Sequence, residues 1–211
     1  HFRFAATTFQ TVPVVRAYHS NRVIGQFDLN GAFEEAPSCW RLVITQWDAS
    51  QDGDHAVGWL DARVRDLFFI DRQNSISGVA SYEVDEEVVV DRRSGHLTSE
   101  KYIFKYGPER FPDRATFDDH YSNSHLPAMA ANASTAPGLR LFITNDVLRE
   151  AETGKRADGH TGYTGRYLET PSVHRFEEYW FDSQEQATEF FRHPDVLAVM
   201  RDSAWGKMTG Y

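Results

Sequence analysis

The chain has 211 residues, of which 41% are hydrophobic and 25% are charged, and this globular composition excludes a disordered, collagen-like or disulfide-stapled protein. Twenty-two Lys and Arg against 31 Asp and Glu give a net charge of −9 at pH 7, the wrong sign for a protein that binds nucleic acid by neutralising phosphates. The single cysteine, Cys39, excludes an intrachain disulfide and a cysteine-rich zinc site.

Hydropathy and aromatic content further limit the class of protein to which the chain can belong. No apolar run approaches the roughly 20 residues that span a bilayer, and the mean hydropathy is −0.53. We therefore expect a soluble protein without a membrane partner, in the cytoplasm by default. Aromatic residues make up 14% of the chain, which favours a pocket for a flat or apolar small molecule.

The N-terminal half alternates strand-like and helix-like segments. Short strands are predicted within Thr11–Ala17 and Arg22–Leu29, and a clearer one over Arg41–Trp47. Apolar residues recur at helical spacing in Asp54–Ile70, with Asp54 as a capping residue, and Ile76–Val90 returns to strand composition. The order is strand, helix, strand.

The C-terminal half repeats that order more clearly. Residues Glu100–Tyr106 alternate as in a strand, and Asp113 caps a helix predicted to run to about Ala133. Pro137 and Gly138 predict a turn before a strand over Leu139–Leu148. A third strand is predicted over Arg175–Phe181, followed by a helical segment over Ser183–Ala204 that Pro194 divides.

Residues 150–173 carry four glycines and are predicted to form a long loop. Loops of that length are usually functional or mobile. A flexible lid with His160 and Tyr163 at its tip is one interpretation, and a plain surface loop is the other.

The element order predicts an α+β, ferredoxin-like fold with antiparallel sheets. Helices then cover one sheet face and leave the other bare. We expect the bare face to be covered by a second such sheet, both through pseudo-duplication within the chain and through homodimerisation. The predicted domains are a degenerate N-terminal half, residues 1–97, and a C-terminal half, residues 98–211.

A stripe of side chains on the helix from Asp113 carries the strongest chemical signal. Phe117, Tyr121, His125 and Met129 follow one another at intervals of four residues, so they should share the face toward the sheet. An imidazole there can accept and donate protons near neutral pH. A structural histidine that packs and donates to a backbone carbonyl is the competing interpretation.

A metal site is not predicted. His120 and His125 are separated by about 140° around a helix at ~100° per residue, so they cannot ligate one ion as an i, i+4 pair does. We expect His120 at the edge of the stripe or in solvent, with a substrate contact as the alternative.

Sheet residues opposite the stripe are candidates for substrate contact, although alternation allows only one of Tyr179 and Trp180 to face the helices. For Asn145, a surface or edge position is the alternative. The candidate substrate-binding residues are Tyr102, Tyr106, His120, Asn145, Tyr179 and Trp180, with Glu178 as a further option.

The segments Phe117–Pro127, Pro137–Leu139 and Glu178–Ser183, followed by a helix ending near Trp205, together resemble the EthD-like branch of the dimeric α+β barrel superfamily. The family pattern is an aromatic residue with a histidine four positions further on, then a proline, and later Pro-Gly-Leu opening a strand. The resemblance covers about residues 98–206. Tyr121 stands where the family usually has Trp, and the loop before Val173 is longer than usual.

This resemblance implies a pocket between helices and sheet for a small cyclic or aromatic molecule. Our leading hypothesis is a cofactor-independent enzyme in which His125 transfers a proton in an isomerisation, dehydration or related lyase step. Tyr121 and the strand tyrosines would orient or polarise a substrate oxygen. The alternatives are an oxidoreductase on a phenolic substrate, either cofactor-free or with haem bound by a histidine, and a non-enzymatic ligand-binding or stress-response module.

Overall fold

The structure of the chain, a computed structural model, places its residues in two compact units. It describes residues 15–22, 26–27, 33–34, 41–47, 82–94, 100–107, 111, 113–155 and 161–203. The first unit comprises His1–Val23, Cys39–Ser81 and Ala151–Tyr167, and the second comprises Ile24–Ser38, Tyr82–Glu150 and Leu168–Tyr211. The predicted helix over residues 54–70 lies outside the described residues.

The described strands and helices follow the predicted order in the C-terminal half. The strands are β1 (Val15–Arg22), β2 (Gln26–Phe27), β3 (Phe33–Glu34), β4 (Arg41–Trp47), β5 (Tyr82–Asp91), β6 (Glu100–Tyr106), β7 (Leu139–Lys155), β8 (Thr161–Tyr167) and β9 (Arg175–Phe181). The helices are α1 (Arg114–His120), α2 (Leu126–Thr135), α3 (Gln184–Arg192) and α4 (Pro194–Ser203). Among the described residues, no helix has the length and apolarity needed to cross a membrane.

Antiparallel pairing dominates both units. In the first unit β1 pairs with β4, with Val15 opposite Trp47, and the end of β7 pairs with β8. In the second unit the strand order is β5-β7-β9-β6, and every neighbouring pair is antiparallel. Because β6 and β7 both run antiparallel to β9, they are parallel to each other and are joined through α1 and α2, which is the split β-α-β arrangement. The predicted α+β, ferredoxin-like fold with an antiparallel sheet is confirmed.

The predicted domain boundary at residue 97 stays a prediction. Strand β5, Tyr82–Asp91, pairs with β7 in the sheet of the second unit. The tandem duplication stays a prediction.

The helical segment over residues 114–135 is continuous but contains a π-helical turn at Tyr121–His125 between α1 and α2. The predicted cap is confirmed, since Asp113 Oδ1 accepts from the backbone N–H of Thr116 at 2.7 Å. The N–H of Leu126 bonds back to the carbonyl of Tyr121, five residues earlier. Pro127 has no N–H to donate to the carbonyl four residues before it, which favours this local widening. The sequence predicts an uninterrupted α-helix here, so the π-helical turn is a difference from that prediction.

The predicted loop over residues 150–173 is wrong for most of its length. β7 continues to Lys155, and Thr161–Tyr167 returns as β8, with Gly154 opposite Gly162 and Thr153 opposite Tyr163. The glycines suggested a loop, but the interspersed threonines and tyrosines favour a strand. Tyr163 therefore lies in a strand and not at a lid tip, while His160 lies outside the described residues.

Aromatic rings fill the space between the sheet and the helices. Phe142 of β7 stacks on Tyr179 of β9 with centroids 4.4 Å apart, and Phe191 of α3 meets Tyr179 edge to face at 5.3 Å. Ser183 caps α3 and Pro194 begins α4, as predicted. This aromatic layer holds the helices against the face of the sheet on which the candidate site lies.

Candidate functional site

The predicted stripe faces the sheet. Phe117, Tyr121, His125 and Met129 are all buried, and none is more than 1% exposed. The π-helical turn places Tyr121 at its start and His125 at its end. Such turns often occur at functional sites because they re-aim side chains without breaking the helix.

A carboxylate on β9 is the centre of the site. Glu177 Oε1 contacts His125 Nε2 at 2.9 Å and accepts a hydrogen bond from the Tyr121 hydroxyl at 2.7 Å. Glu177 Oε2 accepts from the hydroxyls of Tyr106 at 2.7 Å and Tyr179 at 2.8 Å. Glu177 is 0% exposed, so three phenols and one imidazole surround a carboxylate shielded from water.

Strand alternation explains why these groups meet. Glu177 and Tyr179 are two residues apart on β9 and share one face of the sheet. In the register, Glu177 lies between Phe104 of β6 and Thr144 of β7. Thr144 Oγ1 is 2.8 Å from the Tyr121 hydroxyl, so β7 also contacts the stripe on the helix.

The protonation equilibria reflect this arrangement. Burial would raise the pKa of Glu177, but the positive charge available at His125 and the hydrogen bonds from His125, Tyr121 and Tyr106 outweigh it and lower that pKa below 4.5. Burial, together with the charge of Glu177, raises the pKa values of Tyr106, Tyr121 and Tyr179 well above 10. The phenols are therefore hydrogen-bond donors and stay protonated near neutral pH.

Aromatic rings enclose the imidazole of His125. Tyr121 stacks on it with centroids 5.0 Å apart, and Tyr106 meets it edge to face at 5.1 Å. Nε2 faces Glu177, whereas Nδ1 is buried and has no hydrogen-bond partner among the described residues. A neutral ring that donates from Nε2 has its lone pair on Nδ1, which can accept a proton.

A group of ion pairs borders the site. The Arg175 guanidinium lies 4.3 Å from the centre of the Tyr121 ring and 3.1 Å from Asp146 Oδ1. Arg114 of α1 bonds to Asp118 and Asp146 and donates to the carbonyl of Val147. These contacts attach α1 to β7 and β9 next to Tyr121.

Of the six predicted substrate contacts, Tyr106 and Tyr179 lie near His125 and four lie elsewhere. Tyr106, Tyr121 and Tyr179 all reach the Glu177 carboxylate. Tyr102 packs against Phe181 and Phe191, and burial raises its pKa to about 12. His120 is half-buried, with Nε2 3.6 Å from Asp202 Oδ2.

The remaining predicted contacts lie on the opposite face of the sheet from His125. Tyr179 faces the helices, so Trp180 points the other way, as does Asn145, which is opposite Phe176. Asn145 Nδ2 is 3.3 Å from Glu178 Oε1. Glu178 also forms a salt bridge with Lys101, whose ammonium is 4.8 Å from the centre of the Trp180 ring. Asn145 and Trp180 therefore belong to a different cluster.

Glu177 is not among the site residues predicted from the sequence. The clue is its position in the strand Arg175–Phe181, where a glutamate occupies the same face as Tyr179 and Phe181. A carboxylate at a core-facing position requires several donors, and tyrosines on β6, on β9 and on the helix supply them. No group of three or more potential metal-binding side chains occurs within the part of the chain that the structure describes.

Comparison with known proteins defines the class of fold. No family model matches the chain, and no curated protein matches it. A solved structure described as an anthrone oxidase-like protein is similar over all of this chain and 83% of its own, with 13% identity and a TM-score of 0.53. A solved EthD family protein from Bacillus halodurans matches 54% of this chain and 97% of its own, with 19% identity and a TM-score of 0.36.

The full-length likeness shows the fold. The chain shares with the anthrone oxidase-like structure a mixed α+β architecture with an antiparallel sheet.

Proposed function

We propose that the chain is a cofactor-independent enzyme that acts on a small cyclic or aromatic metabolite. His125 transfers a proton in an isomerisation, a dehydration or a related lyase step. The observation that supports this proposal concerns His125, whose buried Nδ1 has no hydrogen-bond partner within the described part of the chain and whose Nε2 lies 2.9 Å from Glu177. An unpaired buried polar atom in a native protein is costly and calls for an explanation, and a catalytic role is one such explanation.

The site offers a single acid-base group in aromatic surroundings. Tyr106 and Tyr121 contact the imidazole and exclude water from it. A positioned acid-base group contributes about 10²–10⁴ in rate, which suffices for substrates already activated by a carbonyl. The hydroxyl of Tyr121 donates to Glu177, so we assign Tyr121 to the support of His125 and not to polarising a substrate oxygen.

Proton transfer to and from carbon can be tested before the natural substrate is known. Panels of cyclic ketones and lactones are incubated with the protein in deuterated water, and loss of the proton signals next to the carbonyl is followed by NMR. We expect exchange that depends on the protein and falls by about 10²–10⁴ in His125→Ala. His193→Ala, an exposed histidine at the end of α3, is the matched control. Full exchange in His125→Ala would remove this residue from the mechanism.

The oxidoreductase alternative is supported by the name of one protein of similar fold, the anthrone oxidase-like protein. Oxygen consumption with electron-rich phenols or anthrones, abolished in His125→Ala, would favour it over proton transfer alone. A Soret band in freshly purified protein would identify haem and contradict the cofactor-independent proposal. Ligands that raise the Tm without any turnover would instead indicate a binding module.

We further propose that the protein acts as a homodimer. Light scattering would then give about twice the chain mass of 24.2 kDa. A mass equal to that of one chain at working concentration would contradict the dimer.

A further inference from the structure

We infer that Glu177 is a positioning residue that fixes His125 as the Nε2–H tautomer, and that the hydroxyls of Tyr106, Tyr121 and Tyr179 form a clamp that keeps its carboxylate anionic. The inference deepens the proposed function and rests on it for the catalytic meaning of the tautomer. The tautomer itself is measurable without any substrate.

The hydrogen-bonding capacity of Glu177 is filled. An ionised carboxylate has about four lone-pair sites and no donor. Glu177 has four neighbours that can donate, two on each oxygen, at 2.7–2.9 Å. Hydrogen bonds donated to the charged form of a carboxyl group stabilise that form relative to the protonated one. The three hydroxyls therefore favour the anion.

The anion in turn selects the tautomer of the imidazole. A carboxylate can only accept, so the nitrogen 2.9 Å from Oε1 must carry the proton. That nitrogen is Nε2, and the lone pair of the neutral ring is then on Nδ1, the buried atom that has no partner among the described residues. Glu177 thus determines which nitrogen reacts while acting only through His125. In serine proteases an aspartate orients the catalytic histidine in the same way.

The clamp also restrains the ring. His125 is stacked on Tyr121 and meets the edge of Tyr106, and the hydroxyls of both tyrosines donate to the carboxylate that binds Nε2. Rotation of the imidazole would break its contact with Glu177 and disturb both ring contacts. The same two tyrosines therefore fix the orientation of the ring as well as the charge of its partner.

The test is the tautomer of His125 in the free protein, read from two-bond ¹H–¹⁵N correlations of histidine-labelled protein and assigned with His125→Ala. We expect the wild type to show Nε2 protonated and Nδ1 unprotonated. In Glu177→Gln the amide supplies a donor, so we expect the population to shift to Nδ1–H. Glu178→Gln is the matched control, because Glu178 is the next residue and faces the other side of the sheet; its spectrum should equal that of the wild type.

Two results would overturn the inference: a wild-type ring protonated on Nδ1, or an unchanged tautomer in Glu177→Gln. The wild-type measurement decides the question even where Glu177→Gln fails to fold. Tyr179→Phe, which removes one donor and keeps the charge, should retain the Nε2–H form.

Activity provides a separate readout. On any substrate found in the exchange assay, Glu177→Gln should lower kcat by up to about 10⁴-fold with little change in KM, as the corresponding amide replacement does in a serine protease. The correct tautomer without exchange on any substrate would contradict the proposed function and leave the positioning role intact. Exchange that is indifferent to Glu177→Gln would contradict the positioning role alone.

Discussion

Two adjacent glutamates on β9 occupy opposite faces of the same sheet and are held in opposite ways. Glu177 faces the helices, where three phenolic hydroxyls and an imidazole surround it. Glu178 faces away and is paired with the ammonium of Lys101 and the amide of Asn145. Both are buried, with exposed fractions of 0% and 6%.

The difference shows what each carboxylate can do. Lys101 balances the charge of Glu178, and burial lowers the pKa of Lys101 although the charge of Glu178 opposes that shift. Glu177 is held by the imidazole of His125 and by three phenolic hydroxyls. The face of Glu178 is therefore typical of a structural ion pair, whereas the face of Glu177 holds the histidine to which we assign proton transfer.

The largest expected difference in stability is between variants that remove one or the other glutamate. Glu177→Ala leaves four buried groups without their acceptor, and we expect it to lower the free energy of unfolding by about 3–5 kcal/mol. Glu178→Ala should cost about 1.5–3 kcal/mol, because the flexible Lys101 side chain, 11% exposed, can turn its ammonium to water. Urea denaturation of both variants checks the order. A greater loss in Glu178→Ala would contradict the comparison.

Removal of a single tyrosine hydroxyl tests whether the clamp around Glu177 stabilises the protein. Tyr121→Phe deletes a donor to Glu177 and a contact with Thr144, and we expect a loss of about 1.5–3 kcal/mol, the range for hydrogen bonds to charged groups. Tyr102→Phe is the control, since Tyr102 contributes ring packing to the same sheet face, and its loss should stay within about 0.5 kcal/mol. Equal losses in the two variants, measured by the same denaturation, would argue against a clamp.

Much of this architecture could be predicted from the sequence. Asp113 and Ser183 mark the helix starts, Pro137 and Gly138 mark the turn, and the spacing of Tyr121 and His125 places both toward the sheet. These features are local and depend on periodicity and capping, which the sequence expresses directly.

Glu177 could not be predicted because its role depends on register. Its partners come from β6, β9 and the helix, up to 71 residues away in the chain. Arg175–Phe181 contains two neighbouring glutamates, and alternation alone does not say which of them faces the helices. The hairpin of β7 and β8 was missed for a different reason, since glycines at paired positions obscured the strand pattern.

Lowering the pH should reduce the contribution of Glu177 to the free energy of unfolding. Because the folded-state pKa of Glu177 is lowered below 4.5, the unfolded chain binds more protons as pH falls through that region. The stabilisation is then complete above that value and is lost with a slope of up to about 1.4 kcal/mol per pH unit. We expect Glu177→Gln to reduce this slope in denaturation curves between pH 5 and pH 3. Glu189→Gln, on the exposed side of α3, controls for the loss of one charge, and an identical slope in Glu177→Gln would count against a buried anion.

The smallest expected change in stability is on the face of Glu178. There, an apolar pair should substitute for the ion pair between Lys101 and Glu178. Buried ion pairs are often replaceable by hydrophobic residues of similar volume without loss of stability. We expect the double variant Lys101→Met with Glu178→Leu to stay within about 1 kcal/mol of the wild type, because added apolar burial offsets the hydrogen bond that Asn145 loses. Each single variant should be less stable than the double variant, since it leaves one charge unpaired. A double-mutant cycle measures this coupling. A loss of stability in the double variant equal to the sum of the two single losses would contradict the prediction that an apolar pair can replace the ion pair.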